Sequence, residues 1–449
     1  MRIPETPPDL AKIMEKIVSE SVQGFTKLMS SSLGPDHNGQ YYHWDKLKYL
    51  KLPEGVKSHE AWWLALKTAR KAISTKLSHK DKAEQPFYYC EPDLARRLLH
   101  EIDIHGGGEI KANAQVTNPS TKEMYLINSL IEESITSSQL EGAATTKKVA
   151  REMLRQKRTP RDRSEKMILN NYHAMEFIIE ISSEELTPEI IFELHKILTQ
   201  GTLDNSKAEG TLRESDDIFV GDERDSTIIH IPPRAEELPH RIHDLCKFAN
   251  GNSTKHFQHP VVKAVILHFL LAYDHPFEDG NGRTARALFY WMMLRQGYWT
   301  MEFISISRIL KQAPAKYARA YLHTETDDND LTYFIIHQLE VIVKAINDFL
   351  KYLERKAQEI KSVEALIKNS HTLQKLLNHR QIALINRALK KPEATFYIES
   401  HRGAHNITYD TARTDLLKLV DLGLLVKLKQ GRAFVFSAAN ELDRKLAEM

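Results

Sequence analysis

The chain has 449 residues, too many for one ordinary core, so two to four domains are expected. Its 62 Lys and Arg against 60 Asp and Glu, with 42% hydrophobic residues, exclude a disordered or collagen-like chain, and a net charge of +2 excludes a bulk polyanion partner while leaving room for local patches. Cys90 and Cys246 are too few for a disulfide framework or a zinc site; MRIPETPPDL carries no leader pattern and no apolar run reaches a membrane span, so a cytoplasmic protein without membrane contact is expected.

Residues 1–115 form an N-terminal region without legible chemistry. AWWLALKTARKAI (61–73) has helical spacing between Pro- and Lys-rich flanks, and Trp44, Trp62 and Trp63 read as packing aromatics. GGG at 106–108 reads as a break. From Tyr125 to about Gln200 the pattern is helical. At 201–233 Gly, Asp and Ser become frequent, and IFV (218–220) and IIHI (228–231) around GDERDST predict a β-hairpin, stopped by Pro232 and Pro233. Helices resume at about Ala235 and run to about Asn369, with a break at DDND (327–330). Residues 116–345 read as one domain and the polar stretch 346–370 as a helical connector. In 371–449, helices beginning at His379 and near Tyr409 precede GLLVKLKQGRAFVF; helix, helix and a two-stranded wing predict a winged helix-turn-helix. The fold class is mostly α.

The chemistry concentrates in HPFEDGNGRTAR, residues 275–286, between the apolar runs VVKAVILHFLLAY and ALFYWMML. Pro260 suits the first position of one helix, and Gly297 the C-terminal cap of the next, which begins near Asn281. The motif is therefore the turn between two buried helices and overlaps the N-terminus of the second, where free backbone N–H groups and the dipole favour an anion. Gly280 and Gly282 allow close approach to the backbone, and Arg283 and Arg286, three apart, can clamp phosphates. Asp279 is a hard oxygen ligand suited to Mg²⁺ among phosphate oxygens. His275 is the group that can act as a base near neutral pH. A P-loop does not fit, because no Lys-Ser/Thr follows a glycine loop, and neither does an EF-hand, because no Glu closes it.

As a whole the string resembles the signature of Fic-domain proteins, His-x-Phe-x-Asp/Glu-Gly-Asn-Gly-Arg-x-x-Arg, at every defined position, and the likeness in layout covers about 120–345. The resemblance implies a small helical bundle with a β-hairpin flap, and transfer of AMP from ATP to a hydroxyl of a target protein. It implies that His275 is the base, Phe277 a core anchor, and Asp279 the Mg²⁺ ligand. Gly280, Asn281 and Gly282 would form the anion hole with Arg283 on the phosphates, and Arg286 would meet the γ-phosphate. The target would dock on the 218–231 flap. EGTLR (209–213) fits the stretch that precedes such a flap, with Glu209-Gly210 and Leu212 where Pro-Gly and Tyr are often found. His268 and His230 read as a packed helix residue and a strand residue.

A second motif lies upstream. YLINSLIEESITSSQLEG (125–142) predicts a helix that Gly142 ends, and an acid at that end opposes the dipole, which makes a cationic partner plausible for Glu141. Ser137-x-x-x-Glu141-Gly142 resembles the inhibitory motif of Fic proteins, in the class that carries it before the core. The resemblance implies that Glu141 pairs with Arg286 in place of the γ-phosphate, and that the same Glu can serve removal of AMP from the modified target. Over 378–436 ten Lys and Arg face five Asp and Glu, a local net of +5, with Arg413 and Lys418 in the second helix and Lys427, Lys429 and Arg432 in the wing. That suits DNA phosphates, with a protein-interaction or dimer module, hence a homodimer, as the alternative reading. The rival to a transferase is a nucleotide-sensing DNA-binding regulator, which does not require His275. A transferase with another phosphate-containing donor is the third reading; Gly282 argues against the kinase branch of the family, where a Lys stands there.

Overall fold

Apolar residues at helical spacing set most of the elements of the computed structural model, which describes residues 3–30, 33–107, 119–222, 227–251, 257–369, 376–390, 394–430, 433–440 and 442–448. Two compact units result, Met1–Phe349 and Leu350–Met449.

The first unit opens with α1 (Leu10–Glu20), α2 (Val22–Met29), α3 (Trp44–Leu47) and α4 (His59–Ala72), gathered around Trp62, Trp63 and Leu66. Ser58 begins α4 by accepting a hydrogen bond from the Ala61 N–H at 3.1 Å. An antiparallel hairpin that the sequence pattern does not announce follows, β1 (Thr75–Lys80) and β2 (Pro86–Tyr89), and then α5 (Asp93–Ile102). In β1 only Leu77 and His79 face inward, and a buried histidine among lysines hides the alternation.

The expected border near residue 115 falls at 108–118, outside the described residues, and the region before it is packed into the same unit as the helices after it. Two cations on α4 explain why. Lys67 is fully buried, with Nζ 2.8 Å from Asp327 Oδ1, and Arg70 donates to the Tyr333 hydroxyl at 2.7 Å. Cations buried in this way require partners, and besides nearer ones each has a partner more than 250 residues downstream.

The helical core continues with α6 (Pro119–Leu140), α7 (Lys147–Gln156), α8 (Arg163–Glu180) and α9 (Pro188–Thr199). A two-stranded hairpin follows, β3 (Val220–Asp222) and β4 (Thr227–His230), and then α10 (Leu238–Ala249), α11 (Pro260–Asp274), α12 (Asn281–Arg295), α13 (Ile306–Gln312), α14 (Pro314–Thr326) and α15 (Thr332–Asn369). The strands are as long as expected but shifted towards the turn: Ile218, Phe219 and Ile231 lie outside them, Gly221, Asp222 and Thr227 lie within them, and residues 223–226 lie outside the described residues. Just before β3, Ser215 and Asp217 bond to each other at 2.7 Å and Asp216 accepts from the Ala235 N–H at 2.7 Å, so the chain is still in a turn there. The break at DDND falls between α14 and α15 as predicted, and α15 runs unbroken through the stretch read as a connector. No helix among the described residues is long and apolar enough to cross a membrane.

At the centre, α11 and α12 are buried nearly all round, as a helix without a polar face must be. Across them lies α6, which begins earlier than its periodicity predicts and ends at Leu140, leaving Glu141 and Gly142 in the turn. A buried carboxylate secures it. Glu133 accepts from the Tyr290 hydroxyl at 3.0 Å, from Ser305 Oγ at 2.7 Å, from the Ser307 N–H at 3.2 Å, and from Ser307 Oγ.

The second unit carries α16 (His379–Lys390), β5 (Thr395–Phe396), α17 (Ile398–His405), α18 (Tyr409–Asp421), β6 (Leu425–Gln430), β7 (Ala433–Ala438) and α19 (Leu442–Glu448), with strand order β5–β7–β6. Its core includes Leu384, Ile385, Phe396, Leu416, Leu419 and Phe436. Sequence patterning predicts α16, α18 and the β6–β7 hairpin; α17 and β5 are additional. Only Ile398 and His401 of α17 are buried, too few to make a period. Buried Asp415 ties α18 to α16 through Arg380 (2.7 Å) and to α17 through His401 (3.1 Å).

The Glu133 network makes a direct prediction. Glu133→Ala strands three side chains and a backbone N–H without their shared acceptor, and leaving buried donors unsatisfied costs about 1–3 kcal/mol each at most. Urea unfolding monitored by circular dichroism should show a loss of about 3 kcal/mol, and an unchanged midpoint would refute the anchoring role.

Candidate active site

The loop between α11 and α12 is built by backbone constraints before any charge enters. His275 caps α11 in the left-handed conformation (φ 45°), its N–H bonded to the Leu271 carbonyl at 3.1 Å. Phe277 is fully buried, and Asn281 pinches it from both sides, accepting from the Phe277 N–H at 2.9 Å and donating to the Phe277 carbonyl at 2.8 Å. Gly280 has φ 84°, and a Cβ there would lie 2.8 Å from Thr199 Cγ2, so both conformation and space demand glycine.

Two residues that sequence reasoning passed over hold this loop. The His195 ring stacks on Phe277 at 3.7 Å and 7°. Its Nδ1 accepts from the Gly210 N–H at 2.9 Å, so its Nε2 carries the proton and donates to the Asp279 carbonyl at 2.8 Å. Burial pushes its pKa down to about 4, consistent with this neutral tautomer. Arg213, the last residue of EGTLR, donates from Nε to the His275 carbonyl at 2.9 Å, and its own N–H donates to the Pro276 carbonyl at 2.9 Å. Nothing in the local pattern of His195 distinguishes it from a core residue of α9. Arg213 could have been singled out as an arginine in a turn otherwise rich in small and acidic residues.

Over this frame stand the charges. Arg283 and Arg286, in the first turns of α12, are both buried. Arg286 donates from Nε to Ser137 Oγ at 2.9 Å, and from its second amino group to the Ser137 carbonyl at 3.1 Å and to Glu141 Oε1 at 2.8 Å. Burial opposes its charge, but the neighbouring Glu141 and Tyr317 more than offset that, and the guanidinium is held above its ordinary value. Glu141 sits against the start of α12: a Cβ on Gly282 would lie 2.3 Å from its Oε1. Arg283 is less well matched. One amino group donates to the Leu198 carbonyl at 2.9 Å, while its Nε and other amino group have no hydrogen-bond partner among the described residues. Burial pulls its pKa below the ordinary value despite Asp279 and Glu141. A buried cation with two unmatched donor nitrogens at a helix N-terminus has the chemistry that suits an anion.

The remaining predicted residues divide by their present engagements. Asp279 is half exposed, with Oδ2 3.8 Å from Arg283 and 3.9 Å from Arg163, which leaves that oxygen open to a cation. Its Oδ1 accepts from the Gly280 N–H at 2.5 Å, so the Gly280 amide is already used within the loop. The side chain of Asn281 is likewise spent on Phe277, leaving its backbone rather than its amide to face a ligand. His275 is half-buried; desolvation first, and then the neighbouring His230, push its pKa down to about 4. His268 is fully buried, with Nε2 2.8 Å from the Tyr317 hydroxyl, in agreement with a packing role. One other ligand-like group occurs among the described residues, His43, Asp45 and His323. There the two rings lie 4.3 Å apart and within 8° of parallel, stacked face to face. Each ring instead hydrogen-bonds Asp45, at 3.1 and 3.2 Å.

Comparison with known proteins agrees with this geometry. Residues 185–293 match the model of the Fic/DOC family, and the chain carries a Fic domain. Among its relatives, the protein adenylyltransferase Fic of Nematostella vectensis is 31% identical over 116 residues, 26% of this chain and 25% of that protein. The protein of the same name from Drosophila erecta is 33% identical over 114 residues, 25% of this chain and 21% of that protein. The chain thus spans about a quarter of the length of the curated relatives it matches. A solved structure of a Fic family protein from Desulfovibrio desulfuricans G20 has a TM-score of 0.50 at 18% identity, covering 77% of this chain and 96% of that one; it shows the fold.

Histidines wholly or partly withdrawn from solvent give the site a pH signature. His195 and His275 fall to about 4 and His268 to about 3, each chiefly through burial, against an ordinary value of 6.5. Between these values the unfolded chain binds more protons than the folded one, so stability rises with pH across the window and is complete above about 6.5. Thermal midpoints should be flat above about pH 7 and fall steadily towards about pH 4, more than in a His268→Gln variant. Equal slopes in the two proteins would remove His268 from the account.

Proposed function

We propose that the protein is an autoinhibited protein adenylyltransferase that moves AMP from ATP to a hydroxyl of a target protein. The observation that carries this reading is the pairing of Glu141 with Arg286 at 2.8 Å, against the start of a helix whose other buried arginine still has unmatched donors. In this reading ATP phosphates meet Arg283 and the free N–H groups of α12. Arg286 would take the γ-phosphate once Glu141 leaves. The open Asp279 oxygen suits Mg²⁺, which when bound supplies neutralisation of phosphate charge. The target hydroxyl oxygen forms a bond to the α-phosphorus as the bond to pyrophosphate breaks, and its proton passes to the neutral ring of His275. Phosphate charge brought beside that ring raises its proton affinity in the direction a base requires.

The target segment is assigned to the 218–231 flap, where paired strands can be extended by main-chain bonding. With Glu141 in place ATP lacks its γ-phosphate contact, so the resting activity is low. The same carboxylate can direct water to the modified target, giving the reverse reaction, and self-modification is the assay that needs no target. We assign the work to the cytoplasm, where ATP and Mg²⁺ are present.

The C-terminal unit supports a second, compatible reading as a winged helix that binds DNA. Asn406 (φ 48°) turns the chain between α17 and α18, and Thr408 caps α18. Arg413, Thr414 and Lys418 are exposed on α18, and Lys427 and Lys429 on β6; Arg432 lies outside the described residues. Fluorescence anisotropy of the full chain with duplex DNA should give an affinity that falls steeply with salt and weakens in Arg413→Ala. Absence of binding at low salt would assign the unit to protein contacts instead.

For the transferase, Glu141→Gly should raise self-modification by labelled ATP well above the parent protein, and adding Arg286→Ala should remove the gain. In the Glu141→Gly background, His275→Ala should cost roughly 10²–10⁴-fold in rate with ATP binding retained. No rise in folded Glu141→Gly would defeat the inhibitory assignment; an unchanged rate in the histidine variant would defeat the base.

A further inference from the structure

The flap cannot hold its place alone. Its two strands pair at only three positions, Val220 with His230, Gly221 with Ile228 and Asp222 with Thr227. An isolated ribbon of that size is marginal in water, so its position must come from tertiary anchors. One anchor stands out. His230, at the end of β4, is buried, with Nε2 2.8 Å from the Tyr273 carbonyl oxygen and Nδ1 2.8 Å from Glu325 Oε2 on α14. Its ring also packs on the Tyr273 ring at 4.7 Å.

A carbonyl and a carboxylate are both acceptors. Each contact is a hydrogen bond only if the facing ring nitrogen carries a proton, and a neutral imidazole can satisfy one of them. The doubly protonated ring satisfies both. Around it stand Glu325 on α14, Tyr273 and Asp274 at the end of α11, His275 in the loop, and Arg213 ahead of the flap. Asp274 is already engaged by Arg241 at 2.8 Å, and Lys82, in the turn between β1 and β2, reaches the Ile231 carbonyl at 3.3 Å. The unpaired carbonyls at the end of α11 also favour a cation there.

We propose that His230 is the positioning residue of the flap: doubly protonated, it clasps β4 to the carbonyl end of α11 and to Glu325, fixing the strand beside His275. The inference rests on the reading of 218–231 as the surface that receives the target. It adds a second effect at the neighbouring base, because a positive His230 opposes protonation of His275 in the same direction as burial. This contact joins β4 by a side chain to the residue two positions before His275, beside the link that Arg213 makes between the Pro233 and His275 carbonyls.

Three measurements test it. In histidine-selective nitrogen-15 spectra of the full chain at about pH 6.5, one ring signal with both nitrogens protonated should vanish in His230→Asn and shift in Glu325→Gln. A His230 ring with one bare nitrogen under those conditions overturns the proposal. Hydrogen–deuterium exchange at Val220–Asp222 and Thr227–His230 should quicken about tenfold in either variant, with the double variant no faster than the faster single one; unchanged exchange in His230→Asn also overturns it. In a Glu141→Gly background, either substitution should slow self-modification by labelled ATP while ATP affinity stays within twofold, and full His230→Asn activity would refute the positioning role. If that background shows no transfer at all, the transferase reading fails, while the spectra and the exchange rates still decide whether the clasp exists.

Discussion

Positive charge buried at the beginning of a helix is the constraint on which this structure turns. Placing Arg283 and Arg286 in the first turns of α12 adds two guanidinium groups to an end already made positive by free N–H groups and the dipole. Removing such ions from water costs several kcal/mol each unless partners replace it. Arg286 has Ser137 and Glu141; Arg283 has one carbonyl and an open side. Other devices around the loop serve this concentration of charge. Gly280 lets the backbone turn against Thr199, Asn281 and His195 stiffen the turn, and Gly282 leaves the approach clear.

That arrangement also makes positions 141 and 282 interdependent. The carboxylate lies where a side chain on residue 282 would have to begin, so the backbone surface that suits a phosphate is the same surface that admits Glu141. In the proposed reading, restraint and phosphate would therefore share one surface as two occupants of like charge.

Much of the site was legible from residues 275–286 because its chemistry is local. A polar string between two apolar helices can only be their turn, and the free N–H groups at the start of the second helix follow from helix geometry. Glu141 was legible for a similar reason, as an acid at an unfavourable helix end. What escaped was held by distant partners. His195 meets Asp279 across 84 positions, Glu133 meets Ser305 across 172, and Lys67 meets Asp327 across 260. A single histidine, glutamate or lysine within an amphipathic helix reads as core or surface according to its neighbours, and no periodicity reports a partner so far along the chain. His230 shows the same limit: its place in a strand is visible in IIHI, but the two acceptors that face its ring are on other elements. The β1–β2 hairpin and α17 were missed because too few of their side chains turn inward to make a period.

Glu133 gives α6, the helix that leads into Glu141, a fixed point. It lies eight residues before Glu141, about 12 Å along the helix axis, and its four hydrogen bonds tie that stretch of α6 to Tyr290, Ser305 and Ser307. A rod pinned there cannot swing away as a whole without stranding all of those groups. Movement that keeps them is confined to the last two turns and to the bend at Gly142, where φ is 91° and Gln139 holds the Thr145 carbonyl at 2.7 Å. Freeing Glu141, in the proposed reading, would therefore be a fraying of the helix end against the bonds of Ser137 with Arg286, Ser138 with the Met167 carbonyl and Gln139 with the Thr145 carbonyl, and the lever that an outside signal would have to grip is short.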